Sequence, residues 1–270
     1  GAALPGGGRG FFFSPAAVPR PRGAAAVAPR AQRAGALPAL GLGPSSDGEL
    51  ERQYWNSLTS KEREAARKID AGHRYFMDGQ LSVSLECYDD ALGHQPTSYL
   101  PQRGILLYLL DRVGDAQQQF ASDIALFEGK FGEVATEERL WATACAGALL
   151  GVGQAQDALV ESLQRLEKEG LVEPESRRVF RGILDVYTRK TEPDEIVRGW
   201  EADGPQDLLG RRFYTAFFLA LLADVQGSDE RARDYLRSAV TSPHVKRNSD
   251  IWWHVPRKLA DVRGWELTEA

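Results

Sequence analysis

Cysteine is nearly missing from this chain of 270 residues. Cys87 and Cys145 stand far apart, in separate amphipathic stretches, with no C-x-x-C and no histidine at ligand spacing. That excludes a disulfide framework or a thiolate zinc site and leaves two buried thiols as the expectation. Histidine is equally sparse. His73, His94, His244 and His254 form neither H-E-x-x-H nor a pair four residues apart, so helical metal binding has no support. No apolar run reaches the roughly 18 residues that a spanning helix needs; the densest stretch, Ile105 to Leu110, is far shorter. No segment alternates at period two for long enough to read as a strand. G-x-S-x-G, a Walker loop and a dinucleotide fingerprint are all absent, and Gly6-Gly7-Gly8 precedes no helix.

Acid is missing from one place only. Residues 1–46 carry Arg9, Arg20, Arg22, Arg30 and Arg33 and no Asp or Glu. The rest of that segment is mostly Ala, Gly and Pro, with a Phe11-Phe12-Phe13 cluster. It has no helical or alternating period and too little apolar surface to offset its ordering entropy. An Arg-rich, acid-free segment of this kind is what organelle transit peptides look like. We expect a disordered leader over 1–46 that addresses the protein to a plastid, stromal or thylakoid-associated, with the mitochondrion as the alternative destination. A linker that targets nothing is the plainer alternative. The chain does not begin with Met, and a signal segment ahead of Phe11 would resemble the bipartite leader of secondary plastids.

The net charge is −5, so the five arginines of the leader leave −10 on residues 47–270. An acidic body argues against nucleic acid or anionic lipid as the main partner.

From Asp47 onward the chain reads as one all-α domain. Thr59 or Ser60 caps a helix to about Asp78, and Glu62 completes a capping box. Gly79 is placed to end that helix in the left-handed conformation, and a second helix runs from Leu81 to His94, stopped by Pro96. Further helices are expected near 98–111, 113–128, 135–151, 154–170, 174–189, 192–202, 207–226, 228–241 and 249–263, about a dozen in all.

Two segments repeat with a spacing of 32 residues: Gly72, Ser84, Tyr88 and Ala91 reappear as Gly104, Ala116, Phe120 and Asp123. The order of small, aromatic, turn and proline residues in the first unit (Gly72, Tyr75, Gly79, Ser84, Tyr88, Ala91, Pro96) is similar to that of the tetratricopeptide repeat. Small residues belong where the two helices of a hairpin cross, because bulk there would push them apart. A further unit keeps Gly227, Ala232 and Ala239, a degenerate one is read at Gly153 and Ala158, and 171–210 shows helices with no repeat signature.

Flanking motifs narrow the resemblance. Tyr99–Tyr108 reads Y-L-P-Q-R-G-I-L-L-Y, Glu138–Trp141 reads E-R-L-W, Phe213–Leu222 reads F-Y-T-A-F-F-L-A-L-L, and the tail from Ser249 to Trp265 is rich in Trp. In this order they resemble the tetratricopeptide proteins of cyanobacteria and plastids and, more distantly, the NlpI-type bacterial lipoproteins, over about residues 65–265. The resemblance implies a short, irregular helical-hairpin solenoid. It implies a non-catalytic adaptor that binds other proteins, plausibly thylakoid or photosystem subunits during assembly, with no cofactor. By the NlpI analogy the alternative is a regulator of a protease or hydrolase. A third reading, an enzyme with a site in 171–210, has no motif behind it. Self-association is left open. The chain departs from its relatives in lacking a lipobox Cys and an N-P-N-D-like turn after Phe127.

In this register the chaperone-type carboxylate clamp is absent, since Ile69, His73, Pro101 and Ile105 hold the positions where that clamp needs Lys and Asn. The predicted concave face comprises Ile69, His73, Phe76 and Met77, then Ile105 and Tyr108, Thr143, and Tyr214 and Phe217. It is apolar enough for an amphipathic helix or an extended hydrophobic peptide. For Phe76 and Tyr108 a core position is the equal alternative, and Phe217 reads as core. Arg103 takes a position usually held by Leu. It either presents a cation to a partner or ties hairpins together through Asp123, with Trp141 packed on its stem. Trp252 and Trp253 are either interface anchors or a cap over the apolar end of the stack.

Overall fold

The computed structural model describes residues 55–170, 172–199, 210–243 and 251–267. The expectations for the leader and for 200–209 therefore lie outside the described residues. Among the described residues these α-helices follow in order: α1 (Ser60–Met77), α2 (Leu81–His94), α3 (Pro101–Leu109), α4 (Val113–Phe131), α5 (Thr136–Leu150), α6 (Val152–Glu169), α7 (Arg178–Tyr187), α8 (Pro193–Arg198), α9 (Arg211–Val225), α10 (Asp229–Val240) and, after a 3-10 turn at Ile251–His254, α11 (Val255–Arg263). No strand occurs among the described residues. The protein is all-α.

Local chemistry sets the first boundaries. The Thr59 hydroxyl accepts from the Glu62 amide and the Glu62 carboxylate accepts from the Thr59 amide, a complete capping box. Four hairpins, α1–α2, α3–α4, α5–α6 and α9–α10, pair consecutive helices, and α4 packs as closely on α5. Each turns through one residue with positive φ: Gly79 (80°), Asp111 (60°), Gly151 (95°) and Gly227 (70°). Asp111 shows that the position demands a left-handed backbone more than it demands glycine; Asp is among the few side chains that tolerate it.

Counting from those turns gives one register for all four hairpins. Seven residues before the turn stand Gly72, Gly104, Ala144 and Ala220; five after it stand Ser84, Ala116, Gln156 and Ala232, and all eight are buried. The third unit is thus built on Gly151 and Gln156. The expectation at Gly153 and Ala158 is corrected, since both are exposed. The pattern was masked because Gln156 holds a place that is otherwise small.

The crossings are tight. Ser84 donates its hydroxyl to the Gly72 carbonyl at 2.7 Å. A Cβ on Gly104 would sit 2.8 Å from the Phe120 ring, whereas one on Gly114 would meet nothing within 4 Å. Gly104→Ala is therefore expected to destabilise the protein by about 1–3 kcal/mol through overpacking, and Gly114→Ala to be neutral or stabilising by up to about 1 kcal/mol through helix propensity. Urea unfolding of the two variants checks this, and equal midpoints would contradict the close crossing.

The C-terminal third does not extend the stack outward. α9 packs on α5 and α7, α11 packs on α3 and α10, and the 251–254 turn reaches back to α1. Much of the inner faces of α3 and α5, and part of that of α1, is covered by the chain itself. An aromatic file marks the seam: Phe120 stacks on Trp141 at 5.6 Å, Trp141 meets Phe217 at 5.6 Å, Phe217 meets Phe213 at 6.3 Å, and Phe213 meets Trp253 at 4.4 Å.

Candidate functional site

That closure settles where the candidate residues lie. Phe76, Ile105, Tyr108 and Trp141 are buried, Phe217 is core as read from the sequence, and Trp253 is buried as a cap. Their size and apolar surface, which made them candidate anchors, are used inside the molecule. Thr143 is buried too and donates to the Arg139 carbonyl. Tyr214 and Trp252 are half-buried, and Tyr214 packs against Phe180, Phe213 and Trp253. Met77 is exposed and faces the end of α11 near Lys258 and Trp265.

Arg103 is a tie, but not to Asp123 directly. Its Nε donates to Asp89 at 2.6 Å and its Nη1 to Gln119 Oε1 at 2.9 Å. Gln119 Nε2 then donates to Asp123 Oδ2 at 3.1 Å. The relay has a fixed sense. A guanidinium only donates, so the Gln119 oxygen must face it and its amide must face the carboxylate. Trp141 packs among Tyr108, Phe120 and Phe217.

Ile69 and His73 remain at a surface, and they do so together. They line a cleft of about 290 Å³ between α1, the 95–100 connection and the C-terminal end of α4. Ala65 and Ala66 floor it on α1, both almost fully buried. Leu126 and Phe131 form the opposite wall, Lys130 stands at the rim beside the Phe131 ring at 5.2 Å, and Gln95, Thr97, Ser98 and Gln102 supply polar groups. His73 meets the Tyr88 ring edge-on at 5.9 Å.

The 95–100 wall is held from beneath by two buried carboxylates. The Leu100 amide donates to Asp123 Oδ1 at 2.9 Å, and the Tyr99 hydroxyl donates to Glu138. Burial pushes the Asp123 carboxyl up to about 7; its bonds from Leu100 and Gln119 pull the other way, while the Glu138 charge adds to the rise and Arg103 slightly opposes it.

The sign of the pH effect follows. The folded value lies above the ordinary 3.8, so the native state holds this proton more tightly than the unfolded chain. The stabilisation is fully present below about 3.8 and is lost as pH rises through about 7. Asp123→Ala should lose that pH dependence. Leaving the Leu100 amide and the Gln119 amide group without an acceptor should also cost about 1–3 kcal/mol near pH 5. Urea midpoints measured from pH 4 to 8 test both claims; parallel pH profiles for wild type and variant would contradict them.

The cleft residues on α4 and in the connection were not read from the sequence. α4 runs to Phe131, past the expected end near 128, and the loop residues have no periodicity to expose them. The available signal was Phe127 and Phe131, four residues apart, which continues the apolar face of α4.

Among the described residues, no group of three or more His, Cys, Asp or Glu side chains could hold a metal ion, and no helix is long and apolar enough to cross a membrane. No family model matches the chain, and no curated protein matches it.

Proposed function

We propose that this protein is a non-catalytic scaffold of tetratricopeptide type that binds other proteins, acting in the plastid in the assembly or stabilisation of thylakoid or photosystem complexes. The observation that carries the binding reading is the cleft at Ile69 and His73. It is an apolar concavity left open on a molecule whose inner faces on α3 and α5 are largely covered by its own C-terminal third. The plastid destination rests on the acid-free, Arg-bearing leader, and the choice of complexes rests on the motif order.

The test is co-purification from thylakoid and stromal fractions, with wild type beside Ile69→Glu. Ile69 is a half-buried groove residue at the edge of the core, so the substitution charges the cleft, and a urea midpoint measured beside it separates lost binding from lost folding. The expected result is a defined set of partner subunits retained by wild type and lost by the variant. Recovery of wild type as a lone monomer from every fraction would overturn the reading.

A further inference from the structure

The cleft carries chemistry that distinguishes one kind of partner from another. Its size admits side chains of a partner but not the body of a helix. A helix with its side chains is about 10–12 Å across, and about 290 Å³ lies at the small end of ligand-site volumes. Polarity agrees with size. Gln95, Thr97, Ser98 and Gln102 face the cleft with no side-chain hydrogen bond to any described residue. These groups want donors and acceptors from whatever enters. A helix offers no backbone groups along its length, because its own amides and carbonyls satisfy one another. An extended strand of peptide presents both at every residue.

Charge selects further. Lys130 is exposed at the rim and makes no ion pair with a described residue. The carboxylate on the cleft, Glu62, keeps its charge but is held at its own helix N-terminus, accepting from the Thr59 amide at 2.7 Å. Lys130 is thus the cleft cation without a charged partner among the described residues, on a body that is otherwise acidic. Between Ile69, Leu126 and Phe131 there is an apolar wall.

We propose that the cleft binds a short extended segment of a partner protein in which an acidic residue neighbours a large aliphatic or aromatic one. The apolar side chain seats against Ile69, Leu126 and Phe131, the carboxylate meets Lys130, and the peptide backbone bonds to Gln95 and Gln102. This inference rests on the scaffold reading and narrows it to one partner chemistry.

A displayed library of random heptapeptides, panned on the full folded chain, tests it. The expected enrichment is Asp or Glu beside Leu, Ile or Phe. A synthetic peptide of the enriched sequence should bind about tenfold more weakly to Lys130→Glu, equivalent to one charge-assisted contact, and more weakly still to Ile69→Glu. Methylating alternate peptide nitrogens should cost about tenfold, since the backbone bonds are lost. Enrichment of basic or purely apolar peptides overturns the inference. So does a helix-stapled version that binds more tightly than the linear one. Peptides that bind equally well to Ile69→Glu overturn the cleft as the site while leaving the scaffold reading standing. A library that yields no binder overturns both.

Discussion

Trp141→Ala should cost about 3–5 kcal/mol, the range for deleting a large aromatic from a packed core. Trp141 is fully buried and holds three rings from three other helices: Tyr108 of α3 at 5.4 Å, Phe120 of α4 at 5.6 Å and Phe217 of α9 at 5.6 Å. Truncation opens a cavity where two hairpins and the closing helix meet. Trp141→Phe should behave differently. The indole nitrogen is buried with no hydrogen-bond partner, so phenylalanine keeps most of the ring contact and removes an unsatisfied donor. Its cost should fall below about 1.5 kcal/mol. Chemical denaturation of the two variants decides the matter. If phenylalanine is as damaging as alanine, Trp141 is held by something other than ring packing.

Asp224→Ala is the second large effect. The Asp224 carboxylate accepts from the Tyr108 hydroxyl at 3.0 Å and from Arg263 through Nε at 3.0 Å and Nη2 at 3.0 Å. It joins α3, α9 and α11 at one point. Its side chain is only 8% exposed and that of Arg263 is 28% exposed. Breaking a buried pair by removing one partner costs about 3–5 kcal/mol; because Arg263 keeps some water, about 3 kcal/mol is expected. A double-mutant cycle with Arg263→Ala should give a coupling of at least about 1 kcal/mol. Additive losses would mean that the two charges act independently. Arg263→Lys should recover little, because a single ammonium cannot reproduce the two parallel bonds.

Local physics made part of this molecule legible before its coordinates. The Thr59–Glu62 box, the left-handed Gly79, and the helix bounded by Leu81 and His94 were all predicted from short-range rules, and they stand as predicted. The small residues at Gly72 and Gly104 were legible for the same reason, since a close crossing needs them. Placement of the aromatic residues was not. Phe76, Tyr108 and Trp141 sit on the inner helix faces expected from their register. What covers those faces comes from more than a hundred residues away in the case of Tyr108, and no periodicity reports such a partner. Of the residues expected on that face of the first helix, Ile69 and His73 stayed at the cleft and Met77 stayed exposed near the end of α11. The other wall of the cleft came from a helix that ran one turn longer than its apolar pattern had been followed.

The contact between the 251–254 turn and α1 has a consequence for synthesis. A stack of repeats that touch only their neighbours can fold from its first unit as it leaves the ribosome. Here Tyr108 and Trp141 lack part of their cover until α9 and α11 have been translated. Those surfaces are closed only when the C-terminal helices pack against the first hairpins.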